Sequence, residues 1–113
     1  MQQLPETDIT SVPAPLPAGL VVLDVREDDE WQAGHIHGAL HIPLGSLPQR
    51  VSDIPAEQRV LVVCRVGGRS AQATEFLRTQ GRDAVNLAGG MVAWDGAGRE
   101  MVAEDDRPAR VER

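Results

Sequence analysis

Residues 60–81 read VLVVCRVGGRSAQATEFLRTQG and combine a strand pattern with a helix pattern. Val60–Val63 is a short apolar run of β-branched residues and leucine, the composition of a strand covered on both faces. From Ser70 to Gln80 the spacing changes to that of a helix. Ala73, Phe76 and Leu77 form its apolar stripe, and Gly81 stands where a helix stops. Between strand and helix lie Cys64 and the five-residue loop Arg65-Val66-Gly67-Gly68-Arg69. In an open parallel sheet, that junction is where ligands bind.

Outward from this unit the same alternation continues. Leu20–Val25, LVVLDV, predicts a second buried strand, and Glu27–Ala33 a short helix stopped at Gly34. Ala39–Ile42 predicts a short strand ended by Pro43. Ser46–Ile54 predicts a helix with Leu47, Val51 and Ile54 on one face and Pro48 in its first turn. Val85–Leu87 reads as a strand, and Gly89–Trp94 as a turn entering a brief helix. Strands alternating with helices predict an α/β domain around a small, mainly parallel sheet with helices on both faces. Residues 1–19, with four prolines, read as an extended lead-in holding an edge strand near Ile9. The domain itself spans 20–103, and the charged residues 104–113 are expected to form a flexible tail.

With 113 residues, the chain can bury one core and no second catalytic module. No apolar run approaches the roughly 18–20 residues of a membrane span. Residues 1–19 lack the basic region and apolar core of a secretory signal, so a cytoplasmic location is expected. A net charge of −6 argues against nucleic acid or an acidic membrane as partner. One cysteine excludes an internal disulfide and a multi-cysteine metal site.

The surroundings of that cysteine suit an anion. Gly67 and Gly68 let the backbone turn its amides inward. The helix beginning near Ser70 aims its unpaired N–H groups and positive dipole end at the same place. Arg65 and Arg69 supply two cationic side chains. Such an environment lowers a thiol's pKa from about 8.5 and activates the sulfur without a histidine. A cysteine closing a buried strand is often just a small hydrophobe. A merely structural turn, however, has no need to converge amides and arginines on one sulfur.

Four segments in order carry a resemblance: LDVRE at Leu23–Glu27, GHIHGALHIP at Gly34–Pro43, CRVGGRS at Cys64–Ser70 and LAGGMVAW at Leu87–Trp94. Together they resemble the rhodanese family of sulfurtransferases, across most of the chain. The resemblance implies the rhodanese-like α/β fold and a persulfide carried on Cys64. It also implies a loop of Arg65, Val66, Gly67, Gly68 and Arg69, with Ser70, around the transferred sulfur. No cofactor is implied. The partners are a small sulfur donor and a thiophilic acceptor, either cyanide, a thiol or an acceptor protein. The loop differs from the Cys-Gly-Ser-Gly-Val-Thr pattern of mercaptopyruvate sulfurtransferases, which points to an anionic donor such as thiosulfate. The prolines of residues 1–19 replace the family's first helix with irregular chain.

Asp24 and Arg26 end the first buried strand on the same side as Cys64. Asp24 could hydrogen-bond the active loop; Arg26 reads better as a structural ion pair, for example with Glu30. His35, His37 and His41 lack the partners that close a metal site, so none is expected. Gly89, Gly90 and Trp94 read as a tight turn and core packing, and Glu27–Glu30 as the charge bias of a helix start. Two rival functions share these features. One is a non-catalytic or redox-sensing module, in which the thiolate oxidises. The other is a cysteine phosphatase or arsenate reductase, whose loop holds five residues between Cys and Arg. Here four separate Cys64 from Arg69, enclosing a space better matched to one sulfur than to a phosphate.

Overall fold

The computed structural model describes residues 4–112. In chain order its elements are β1 (Glu6–Thr7), β2 (Leu20–Asp24), α1 (Asp28–Ala33), β3 (Leu40–His41), α2 (Leu47–Arg50), β4 (Arg59–Val63), α3 (Gly68–Thr79), β5 (Asp83–Leu87) and α4 (Gly90–Gly96). The five strands form one sheet in the order β1-β5-β4-β2-β3, and every pairing among them is parallel. The fold is α/β as expected, with the sheet wholly rather than mainly parallel among the described residues.

The unbroken apolar runs of β2 and β4 follow from the two-residue period of a strand, which sends neighbouring side chains to opposite faces. Leu23, Val60 and Val62 join Leu47, Ile54, Ala73 and Leu77 in one core. Val22, Leu61 and Val63 point the other way, to Val12, Ile36, Met91 and Trp94. Both faces are thus covered, so no position in the middle of these strands could be polar without a partner.

Several boundaries differ from the sequence expectations. The edge strand is Glu6–Thr7, earlier than Ile9, and residues Ile9–Ser11 form a 3-10 turn. Asp8 explains it: its carboxylate accepts from Thr10 N and Ser11 N and turns the chain away from the sheet. The helix expected over Ser46–Ile54 is divided into a 3-10 turn (Leu44–Ser46), α2, and a second 3-10 turn (Val51–Asp53). Arg82, between α3 and β5, reaches across to donate to the carbonyls of Val51 and Ile54 and ties down the end of this segment.

Gly34 ends α1 as expected, but its φ of 175° is ordinary extended backbone. What requires glycine there is space: a Cβ would sit 2.3 Å from the Arg110 carbonyl oxygen. The segment 104–112 runs beside α1, with Glu104 N donating to Gln32 O and Arg110 N to Ala33 O. His35 and Val102 pair in an antiparallel bridge just before it.

Candidate active site

Cys64 follows the last residue of β4, at the carboxyl edge of the sheet, and is 1 % exposed. Its Sγ accepts from Gly67 N at 3.1 Å and from Ser70 Oγ at 3.2 Å. Burial pushes the thiol up, yet the Ser70 hydroxyl and the amides of Ser70, Gly67 and Val66 outweigh it. The net effect holds the thiol below its usual pKa. This is the electrostatic arrangement expected of a nucleophilic thiolate.

The loop is tighter than the sequence suggested. α3 begins at Gly68, not near Ser70, with Gly67 as its N-terminal cap at φ +116°. Gly68 and Arg69 are therefore the first helical residues, and the turn from strand to helix is made by Arg65, Val66 and Gly67 alone. Only a glycine reaches that φ without strain, so Gly67 is the hinge that brings the helix start back over the sulfur. Val66 is exposed, at 55 % of its full accessible surface.

The two arginines do not close on Cys64. Arg69 makes a bidentate pair with Glu30 of α1, at 2.6 and 2.9 Å, and Glu30 holds it in its charged form. Arg65 turns outward and donates its Nε to the Glu112 carbonyl. Among the described residues, the hydrogen bonds to Sγ come from Gly67 and Ser70 and from neither arginine.

Asp24 and Arg26 are both fully buried and pair with each other, through Nε and Nη2 at 2.8–3.1 Å. Arg26 also donates to the Gly34 carbonyl at 2.7 Å. Arg26 therefore pairs with Asp24 rather than with Glu30. Glu30 is occupied instead by Arg69 and by the Glu27 amide, which it accepts in a capping box. The Asp24–Arg26 pair braces the end of β2 against the end of α1, beside the loop rather than in it. The histidines have similar tasks: His35 Nδ1 lies 2.8 Å from the Trp31 carbonyl and His41 Nε2 2.8 Å from that of Arg26. Both rings stack on Trp31, at centroid distances of 3.5 and 4.6 Å.

Two contributions escaped sequence reasoning. The first turn of α4 clamps the active loop: Met91 N donates to the Cys64 carbonyl at 2.8 Å and Val92 N to that of Arg65 at 3.0 Å. Gly90 is required there, because a Cβ would meet the Cys64 oxygen at 2.3 Å. The glycine pair of LAGGMVAW was a visible signal of close approach, without naming what approaches. The other is Asn86 on β5, buried and bonded to the Gly67 carbonyl. A single polar residue inside a strand gave no signal of its destination.

Comparison with known proteins identifies the fold. The rhodanese-like domain family matches residues 10–97. The chain is 39% identical over 87 residues to a sulfurtransferase of Allochromatium vinosum, covering 76% of this chain and 81% of that protein. A rhodanese-related protein of Thermoplasma volcanium superposes with a TM-score of 0.72 at 34% identity, over 74% of this chain and 84% of that one. A thiosulfate sulfurtransferase of Pseudomonas aeruginosa superposes with a TM-score of 0.68 at 30% identity. That match takes in 85% of this chain but 19% of the Pseudomonas protein. A parallel sheet with a cysteine loop at its carboxyl edge and a match over most of its length make this chain a member of the rhodanese-like domain family.

Proposed function

We propose that this chain is a sulfurtransferase that moves sulfane sulfur from an anionic, thiosulfate-like donor through a persulfide on Cys64 to a thiophilic acceptor. The observation that carries the reading is the pair of hydrogen bonds to Sγ from Gly67 N and Ser70 Oγ at the start of a twelve-residue helix. The Cys64 thiolate attacks the outer sulfur of the donor. A new S–S bond forms, the donor's own S–S bond breaks, and sulfite leaves with the electron pair. The persulfide then carries one negative charge, which the loop amides and the α3 dipole stabilise. Cyanide or a thiolate attacks the outer sulfur next, and the electrons of the broken bond return to Cys64 as thiolate.

With Arg69 engaged by Glu30 and Arg65 by a carbonyl, the groups that bond the sulfur directly are the Gly67 N–H and the Ser70 hydroxyl, with the Arg69 charge acting at longer range. The relatives' names support sulfur transfer in general, and the Pseudomonas protein's name supports thiosulfate as donor. The test is thiosulfate-to-cyanide transfer by the purified chain beside Cys64→Ser, with intact mass measured before cyanide is added. Thiocyanate formation and one added sulfur, both lost in Cys64→Ser, are expected. Full activity in Cys64→Ser, or no added sulfur on the wild type, overturns the proposal.

A further inference from the structure

Asn86 is 1 % exposed, and the transfer chemistry does not use it. Its Nδ2 donates to the Gly67 carbonyl at 3.2 Å and to Glu6 Oε2 at 3.0 Å, while its buried Oδ1 has no partner among the described residues. Turning the amide over would place that oxygen against a carbonyl and a carboxylate. The two acceptors therefore dictate the orientation, and one hydrogen bond is forgone to keep it.

The residue held in this way is Gly67, whose own N–H donates to Cys64 Sγ. A glycine moves freely between positive and negative φ, so an N–H at φ +116° stays aimed at a sulfur only if its flanks are fixed. On the helix side, Ala71 N donates to the Gly67 carbonyl at 3.1 Å. On the sheet side the restraint is Asn86, itself steadied by Glu6 of the edge strand β1. We infer that Asn86, braced by Glu6, is a positioning residue that locks Gly67 with its N–H on the Cys64 sulfur. The edge strand, 58 residues before Cys64 in sequence, thereby takes part in setting the nucleophile.

This inference rests on Cys64 being the nucleophile, but its test needs no sulfur donor. Alkylation of Cys64 by neutral iodoacetamide is followed against pH in the full chain, with thermal melts of each variant. In Asn86→Ala the midpoint of the pH profile should rise by about 0.5–1 unit, slowing alkylation roughly 3–10-fold below both midpoints. Glu6→Gln removes the charge but keeps an acceptor for Nδ2, whereas Glu6→Ala removes both. The midpoint should therefore be higher in Glu6→Ala than in Glu6→Gln. An unchanged midpoint in folded Asn86→Ala overturns the inference. Should Asn86→Ala fail to melt cooperatively, the exposed Glu6 decides, and equal midpoints in its two variants overturn it. A shifted midpoint with no sulfur transfer in any protein would leave the positioning role standing and remove the proposed function instead.

Discussion

Ser70→Ala removes one oxygen from a fully buried position and leaves the backbone of α3 in place. The lost bond is the Ser70 hydroxyl to Cys64 Sγ at 3.2 Å, the strongest of the groups that lower this thiol's pKa. A hydrogen bond to an ionised group contributes about 1.5–3 kcal/mol, and sulfur, as a soft acceptor, belongs at the lower end. At 1.36 kcal/mol per pKa unit, roughly 1.5 kcal/mol corresponds to about one unit. The Gly67 N–H remains, so the thiol should stay reactive with its titration moved upward. Measured by iodoacetamide alkylation against pH, the midpoint should rise by about one unit. Well below both midpoints the rate should fall about tenfold. A midpoint that stays put or falls in a folded Ser70→Ala would refute the assignment of the hydroxyl as a thiolate donor.

Other expectations concern stability. Gly90→Ala places a Cβ 2.3 Å from the Cys64 oxygen and 2.7 Å from that of Arg65, at φ +52°. Neither backbone atom can yield without opening the loop, so urea unfolding should show a loss above about 2 kcal/mol together with lost thiol activation. Asp24→Ala leaves the Arg26 guanidinium buried and without its carboxylate, which should cost about 3–5 kcal/mol in the same assay. The lowered thiol pKa also carries a sign. The folded state favours the thiolate, so Cys64 contributes stability above the unfolded thiol's pKa of about 8.5 and loses it as pH falls through the folded value. The stability of wild type relative to Cys64→Ala should therefore rise with pH toward about 8.5, as read from urea midpoints; a flat difference would contradict the lowered pKa.

Much of this protein is legible in its sequence. The apolar runs Leu20–Val25 and Val60–Val63 read as strands covered on both faces, and they are β2 and β4. The cysteine at the end of one of them, followed by Gly67, Gly68 and a helical stripe, marked a strand-to-helix junction at the carboxyl edge of the sheet. Those features are local: strand period, helix period, glycine torsion and the dipole of one helix depend on residues within a few positions of each other. What the local pattern could not decide was where long side chains go. Arg65 and Arg69 sit beside Cys64 in sequence, yet a guanidinium reaches several ångströms and takes the best acceptor in range. One finds Glu30 and the other a carbonyl of the chain's last residues. Arg26 finds Asp24 for the same reason. The supports of the loop are likewise supplied by segments distant in sequence. Glu6 and Asn86 meet because β1 pairs with β5, and the α4 amides meet the Cys64 carbonyl because β5 lies next to β4. Local pattern in the sequence is enough to single out Cys64 and the helix that starts beside it. Which groups hold that cysteine in place is a tertiary matter, because strand order brings them together and no local period encodes strand order.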